Sequence, residues 1–277
     1  MKILVTTPSG KVGQNLAKLL QARDVALRLG AHSVEKTRQA FPGLEVVHLD
    51  YGAPATLAAA VKGVDAVYLA SPGDFPADGE KQLVDAASAA GVKKVVKLAA
   101  MGIENTDAPL RQVEKHIETS GLAWTFLHPS WFMQNFTTAN AGPIKAGTLA
   151  EPAGDRRTAF IDARDIAAVA AEALTRPGHD GEVYTLTGPE LLTRQQVVDV
   201  IGQELGRTIT YLPVTDEQFR VAVKGHLHQS YIELLSMLYA GVRAGWTERQ
   251  TDEVQKVLGR PPTSFAQFAK EHRAVWA

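Results

Sequence analysis

The chain has 277 residues, a formal net charge of −1 and no cysteine. The near-zero charge argues against broad binding to nucleic acid or to an anionic membrane, and the lack of cysteine excludes disulfides, thiolate catalysis and cysteine-ligated metals. Hydrophobic residues make up 45% of the chain, enough for a sizeable core. No apolar run approaches the roughly 20 residues that span a bilayer, and no apolar signal region opens the chain, so we expect a cytoplasmic protein.

Short apolar runs alternate with helical patterns over the first half of the chain. The runs predict strands at 2–6, 25–29, 44–49, 66–70, 94–99 and 123–127. The patterns between them predict helices at 11–21, 33–40, 53–61, 79–90 and 110–119. This alternation is typical of βαβ units, so the predicted fold class is α/β with a doubly wound parallel sheet.

The pattern changes after Pro129. Residues 140–158 are predicted as loop, 163–174 and 193–205 as helices, and 183–187 and 209–212 as strands. From residue 215 onward the chain is predicted as mainly helical, with breaks near Gly225, Gly245 and 259–262. We therefore predict a sheet domain over 1–130, with returning segments at about 157–190, and a smaller, mainly helical lobe formed by 131–156 and 191–277.

The turn after the first strand has the pattern of a dinucleotide phosphate site. Gly10 would allow a close backbone approach to a pyrophosphate, and Gly13 would let the helix pack tightly on the sheet. Free N–H groups and the dipole at the helix start would stabilise the phosphates. Thr7 replaces the first glycine of the usual fingerprint, and Pro8 removes one N–H. The alternative is a tight turn without a ligand. The residues assigned to this loop are Thr6, Thr7, Ser9, Gly10, Lys11, Val12 and Gly13.

The end of the second strand carries no acidic residue, although NAD enzymes often place one there to bind the ribose 2′-hydroxyl. Arg28, His32 and Lys36 would instead meet the 2′-phosphate of NADP, so NADP(H) is favoured over NAD(H). After the third strand, Asp50 and Tyr51 are placed near the adenine, with Tyr51 stacking on the ring. The alternative is that these side chains are solvated surface groups.

Motifs at residues 6–13, 63–67, 71–72, 90–96, 120–136, 160–167, 188–190, 244–245 and 258–262 recur together in one family. With them the chain resembles the NmrA-like atypical short-chain dehydrogenase/reductases over nearly its whole length. Within that family it looks most like the ergot-alkaloid reductase and NAD(P)H:quinone or triphenylmethane reductase branches. The resemblance implies a Rossmann domain that holds NAD(P) and a C-terminal lobe that covers the nicotinamide.

The resemblance also implies where the cofactor lies. It places the backbone of Ala70, Ser71 and Pro72 beside the cofactor ribose, and the segments that begin at Ala99 and Pro129 against the nicotinamide. In some relatives an arginine that binds the 2′-phosphate stands where His32 falls in this chain. Histidine does this well only when protonated.

The acid that short-chain dehydrogenases normally use is missing. Those enzymes place a serine after the fifth strand and a Tyr-x-x-x-Lys set on the next helix, whereas residues 98–101 here read LAAM. Arg111 stands at the tyrosine position, and Lys115 falls at the lysine position with a possible orienting role. No firm catalytic residue is therefore assigned. Simple ketone reduction, which needs a proton donor, is disfavoured.

Iminium ions, quinones and cationic dyes accept a hydride without that acid, because they become neutral or delocalise the added electrons. We therefore predict an NAD(P)H-dependent reductase of an electron-poor cyclic or aromatic acceptor. An aromatic wall would suit a planar cation, with core packing as the alternative. The predicted pocket residues are Met101, Trp131, Phe132, Asn135, Phe136 and Tyr231.

The missing acid also fits a non-catalytic, dinucleotide-binding redox sensor, which is the alternative function. His226 and His228 lack a carboxylate partner at ligand spacing, so no metal site is predicted. Glu114 and Glu118 are predicted on a salt-bridged helix surface. The expected partner is a small aromatic or cyclic molecule. We expect no nucleic acid and no membrane, and a homodimer is left open.

Overall fold

The computed structural model describes residues 1–23, 25–71, 77–104 and 106–277, which fall into two units. The first unit comprises Met1–Pro129 and Ala163–Thr185, and the second comprises Ser130–Asp162 and Leu186–Ala277. The segment that returns to the first unit is therefore shorter than the predicted 157–190.

Strands and helices alternate along the first unit, and helices dominate the second. The strands are β1 (Lys2–Thr6), β2 (Ala26–Ala31), β3 (Glu45–His48), β4 (Ala66–Leu69), β5 (Lys94–Leu98), β6 (Ala123–Pro129), β7 (Thr148–Glu151), β8 (Glu182–Leu186) and β9 (Thr210–Pro213). The helices are α1 (Gly13–Gln21), α2 (Val34–Ala40), α3 (Pro54–Val61), α4 (Ala77–Ala89), α5 (Pro109–Glu118), α6 (Ala141–Lys145), α7 (Ala163–Thr175), α8 (Arg194–Leu205), α9 (Asp216–Val223), α10 (Gln229–Arg243), α11 (Glu253–Leu258) and α12 (Phe265–Trp276).

The first unit is built on a seven-stranded sheet with the order β3-β2-β1-β4-β5-β6-β8. All the pairs from β3 across to β6 are parallel. The order reverses between β1 and β4, which makes this the topological switch point where open α/β sheets bind ligands. All four residues of β4 are buried, as expected for a parallel strand covered on both faces. The predicted doubly wound Rossmann-type fold is confirmed.

Helices cover the sheet in two groups. Helix α1 turns Leu16, Ala17 and Leu20 inward and packs against α7, which is apolar over most of its surface. Helices α3, α4 and α5 pack on one another over a second core. Because helices at successive crossovers bury one apolar stripe each, the 3.6-residue spacing in the sequence is sufficient to place them.

The second unit is mainly helical, with a small parallel pair formed by β7 and β9. Its core collects Phe136, Phe160, Phe265 and Trp276 among its largest side chains. The prediction of a continuous loop over 140–158 is wrong, because α6 and β7 lie there. Strand β7 could not be predicted from a local sequence pattern, because it is short and pairs with residues some 60 positions later. Among the described helices, none combines the length and the apolarity needed to cross a membrane.

Candidate cofactor and active site

The turn after β1 adopts the shape of a phosphate loop although its first glycine is missing. Thr7 has a φ of +51°, and no other non-glycine residue in the described parts of the chain has a positive φ. The left-handed region is open to glycine and strained for other residues. The Thr7 carbonyl accepts a hydrogen bond from the Gly10 N–H at 2.9 Å. Thr7 therefore makes the turn that a glycine would otherwise make.

The two remaining glycines are required for different reasons. A Cβ at Gly13 would lie 3.0 Å from the Thr7 carbonyl carbon and closer still to its oxygen, so only glycine fits. The three described atoms nearest to a Cβ at Gly10 all belong to Thr7, with its oxygen at 3.2 Å and the other two at 3.9 Å. The N-cap of α1, Val12, provides no side-chain acceptor for the first N–H groups of the helix. This arrangement fits a pyrophosphate.

The polar side chains predicted on the loop differ in exposure. Ser9 is exposed, and Lys11 is half-buried. Partial burial lowers the pKa of Lys11 from its usual value, because burial disfavours the ammonium ion. Both side chains belong to the segment that leads into the first turn of α1.

A hydrogen-bond network joins the carboxyl ends of β1 and β4. The buried Thr6 hydroxyl donates to the Ala70 carbonyl at 2.7 Å and accepts from the Ala70 N–H at 2.8 Å. The Tyr51 hydroxyl donates to the same carbonyl at 2.6 Å. Burial raises the pKa of Tyr51 well above its usual value, and the Glu80 carboxylate adds to the shift. The Ser71 hydroxyl is buried and has no hydrogen-bond partner among the described residues. Tyr51 is therefore anchored at this edge as a neutral donor.

Pro72, predicted beside the ribose, lies outside the described residues.

The prediction that Arg28 binds the 2′-phosphate is wrong. Its side chain is buried, and its Nε donates to Glu45, which is its partner in the register of β2 and β3. Its Nη1 donates to the carbonyls of Ala60 and Lys62 at the end of α3. Helix α3 runs from the carboxyl edge of the sheet back to the amino edge, so this guanidinium lies at the edge opposite the phosphate loop.

His32 lies at the end of β2, at the carboxyl edge. Its side chain is 78% exposed, and its Nε2 is 3.9 Å from the Asp50 carboxylate. Lys36 is exposed on α2. Asp50 also accepts a hydrogen bond from the Gly52 N–H at 2.8 Å. The structure therefore brings two of the predicted groups, His32 and Asp50, together at the position expected for the adenosine ribose.

The backbone after β5 is held against the end of β6. The Ala99 N–H donates to the Leu127 carbonyl at 2.8 Å, and the Met101 N–H donates to the Pro129 carbonyl at 3.1 Å. These bonds continue the β5–β6 pairing beyond the strand end, so the segment is fixed where the resemblance places the nicotinamide.

The lysine assigned an orienting role lies on the surface of α5. Lys115 is 53% exposed and pairs with Asp107 at 3.4 Å, and the Asp107 side chain is 94% exposed. Arg111, at the usual tyrosine position, donates to Glu118 at 2.7 Å and to Glu114 at 3.3 Å. Neither side chain takes the place of the missing hydroxyl donor.

A buried ionisable cluster at this edge was not predicted. Nε2 of His128 lies 2.6 Å from the Glu114 carboxylate, and both side chains are at most 2% exposed. The predicted surface position of Glu114 is therefore wrong, whereas Glu118 is 33% exposed and paired with Arg111. The available signal is the spacing of Leu110, Val113 and Ile117, which places position 114 on the buried face of α5.

The predicted pocket residues of the second unit fall into two groups. Phe136 has no exposed surface and packs edge-on against Phe160 and Phe265, so its predicted role as a pocket wall is wrong. Tyr231 is 39% exposed on α10. Trp131, Phe132 and Asn135 are half-buried. Met101, the predicted pocket residue of the first unit, is also half-buried.

Comparisons with known proteins agree with the fold. A family model described as NAD(P)H-binding matches residues 9–177. The NAD(P)H azoreductase of Xenophilus azovorans is 34% identical over 284 residues, which cover 99% of each chain. The agroclavine dehydrogenase of Claviceps fusiformis is 31% identical over 294 residues, covering 100% of this chain and 99% of the other. The structure of an NADPH-dependent quinone oxidoreductase from Escherichia coli complexed with NADPH has a TM-score of 0.86 at 25% identity, covering 97% of this chain and 99% of that one.

The family model and the relatives define an NAD(P)H-dependent oxidoreductase. The chain belongs to the NAD(P)H-binding family, within its NmrA-like atypical short-chain dehydrogenase/reductase group. The predicted enzyme class and the predicted resemblance are thereby confirmed.

Proposed function

We propose that the protein transfers a hydride from NADPH to an electron-poor cyclic or aromatic acceptor, of the iminium, quinone or cationic dye type, without the usual serine and tyrosine acid. One observation carries the proposal. The backbone at 99–101 is fixed to the end of β6, where the nicotinamide is expected, yet residues 98–101 offer no hydroxyl. The relatives' names support it, since they include an azoreductase, a clavine dehydrogenase and a quinone oxidoreductase.

The residues of the chain bind and orient the reactants. The first turn of α1 and Gly10 hold the pyrophosphate, and Thr6 and Tyr51 stiffen the strand ends beside it. When bound, the nicotinamide supplies the hydride. An acceptor that delocalises the incoming electron pair needs orientation and exclusion of water more than it needs an acid.

The preference for NADP(H) over NAD(H) is the finer part of the proposal. With Arg28 engaged elsewhere, it rests on His32 and Lys36, which are exposed basic groups after β2. Asp50 opposes it, because a carboxylate 3.9 Å from His32 repels a phosphate and suits a ribose hydroxyl. We expect a modest preference for NADPH rather than an absolute one.

The direct test incubates the purified protein with NADPH or NADH and a panel of quinones, azo dyes, triarylmethane cations and cyclic imines. Loss of the reduced-nicotinamide absorbance with at least one class, and a lower KM for NADPH than for NADH, are the expected results. No oxidation with any class would overturn the proposal. Calorimetric titration then separates a redox sensor, which would bind cofactor without turnover, from a protein that does not bind cofactor.

We also propose that the enzyme acts in the cytoplasm on a small molecule, without a nucleic-acid or membrane partner. Light scattering after size exclusion measures whether the working unit is a monomer or a homodimer.

A further inference from the structure

His128 lies between two carboxylates at the nicotinamide edge of the first unit. Its Nε2 is 2.6 Å from the Glu114 carboxylate, and its Nδ1 is 3.5 Å from Glu104. Its side chain is 2% exposed, that of Glu114 is 1% exposed, and that of Glu104 is 34% exposed. The flanking carbonyls of Leu127 and Pro129 are those that hold the segment after β5. Glu104 belongs to the same connection between β5 and α5.

The cluster can hold one additional proton, between Nδ1 of His128 and the Glu104 carboxylate. Arg111 donates to Glu114 and to Glu118, so a cation faces those two carboxylates but not Glu104. Nδ1 of His128 is buried and makes no hydrogen bond to the described residues. In a neutral ring with its proton on Nε2, the Nδ1 lone pair would face a carboxylate oxygen. A proton between Nδ1 and Glu104 replaces this repulsion with attraction.

Glu104 lies where it could deliver that proton to a bound substrate. The connection after β5 leaves the sheet at the carboxyl edge, on the side of the switch point away from the phosphate loop. A dinucleotide that crosses the switch point with its pyrophosphate at α1 places its second nucleoside on this side. One third of the Glu104 side chain is exposed, which allows exchange with solvent, whereas His128 and Glu114 are enclosed.

We propose that Glu104 is the proton donor for acceptors that take up both a hydride and a proton, and that His128 is the positioning residue that stores this proton. The inference rests on the proposed function. Reduction of an azo group or a quinone adds a hydride with its electron pair, and the acceptor becomes an anion while the dihydronicotinamide is oxidised. Nδ1 of His128 passes its proton to the Glu104 carboxylate, Glu104 delivers it to the anion, and a proton from solvent then returns through Glu104 to Nδ1. An iminium or triarylmethane cation becomes neutral on hydride addition and needs no proton.

Comparison of two acceptors tests this assignment. The variant Glu104→Gln keeps the size of the side chain but cannot deliver an acidic proton. Its kcat for a quinone or azo acceptor is expected to fall on the order of 10²-fold, and the loss is expected to exceed that for a cationic acceptor at least about tenfold. Asp107→Asn is the matched control, since it removes an exposed carboxylate of the same connection, one that pairs with Lys115. Glu104→Asp should recover part of the rate.

A second readout needs neither cofactor nor turnover. Nitrogen-15 spectra of histidine-labelled protein, with His128→Asn to assign the signal, report the proton on Nδ1. In the wild type the Nδ1 signal should report a proton shared with a carboxylate, since Glu104 lies 3.5 Å from Nδ1, and Glu104→Gln should lose that signature. The same Nδ1 signal in the two proteins would refute the stored proton.

The outcomes separate the two proposals. Absence of turnover with every acceptor in the wild type contradicts the proposed function, and the nitrogen spectra still decide the proton store. Equal losses for both acceptor types in Glu104→Gln leave the proposed function intact and reduce Glu104 to a structural residue. An unaltered rate with the proton-requiring acceptor overturns the assignment of Glu104 outright.

Discussion

The substitution Gly13→Ala tests whether the close approach of α1 to Thr7 shapes the phosphate loop. The added Cβ would lie inside the 3.0 Å that real Cβ contacts respect, against a backbone oxygen that is itself bonded to the Gly10 N–H. Backbone cannot rotate away as a side chain does, so we take the upper end of the overpacking range, about 3 kcal/mol. Alanine returns about 1 kcal/mol through its better helix propensity. The net loss of unfolding free energy is about 2 kcal/mol, which lowers Tm by about 4–8 °C.

Gly10→Ala is the matched control on the same loop. Its Cβ would meet the Thr7 oxygen at 3.2 Å, a contact relieved by a few tenths of an ångström, and the next atoms lie at 3.9 Å. We therefore expect a Tm change of about 1 °C or less. If the pyrophosphate binds against Gly10, the same methyl group should weaken NADPH binding about tenfold or more.

Differential scanning fluorimetry and calorimetric titration with NADPH measure the two effects. The reasoning requires Gly13→Ala to lose stability and affinity, and Gly10→Ala to lose affinity alone. A Gly13→Ala protein that melts with the wild type would refute the steric argument. A Gly10→Ala protein with wild-type affinity would refute the placement of the pyrophosphate.

Three further predictions concern charged groups. His32→Arg should raise the ratio of the KM for NADH to that for NADPH about tenfold, since a permanent cation forms a stronger bond to the 2′-phosphate; an unaltered ratio would remove position 32 from the site. Lys97→Met should cost about 3–5 kcal/mol in urea unfolding because it leaves the buried Glu80 carboxylate, 2.8 Å from Nζ, without its cation, and the double variant with Glu80→Leu should recover most of the loss. The Arg220 hydrogen bond lowers the pKa of Asp216 below its usual 3.8, so this carboxylate stabilises the fold above that pH and its contribution is lost as the pH falls through the folded value. Asp216→Asn should therefore be less stable than the wild type near neutral pH and converge with it in acid; a constant difference would contradict the linkage.

The fold of the first unit could be predicted because its information is local. Strands β1, β4 and β5 are short apolar runs, and each helix between them repeats its apolar positions every three or four residues. The tight turn after β1 was predicted from Gly10 and Gly13, whose spacing reflects a contact within one turn of chain, and its role as a phosphate loop stays a prediction. Thr7 was noted as a departure from the fingerprint. Its positive φ could not be predicted, because threonine rarely adopts that conformation and only the folded turn shows that it does so here.

Side chains with distant partners were predicted poorly. Arg28 was assigned to the cofactor because it is basic and near the end of a strand, yet its partner Glu45 becomes a neighbour only through the register of two strands. Glu114 was assigned to the surface because it is charged. The spacing of the apolar residues places Glu114 on the buried face of α5. Burial of its carboxylate requires a polar partner, and that partner, His128, is 14 residues away on another element. Phe136 was assigned to a pocket wall because it is aromatic, but its contacts with Phe160 and Phe265 are those of a core residue.

The returning segment has a consequence for synthesis on the ribosome. Helix α7 packs against α1 and β8 completes the sheet, but both are made after the 33 residues Ser130–Asp162, which belong to the other unit. At typical elongation rates of about 5–20 residues per second, the apolar face of α1 therefore lacks its partner α7 for seconds after β6 has been synthesised. During that interval the nascent chain exposes Leu16 and Leu20 of α1 and the edge of β6. The cofactor-binding unit is thus finished late, and a chain released at Pro129 would present an open sheet edge to its neighbours.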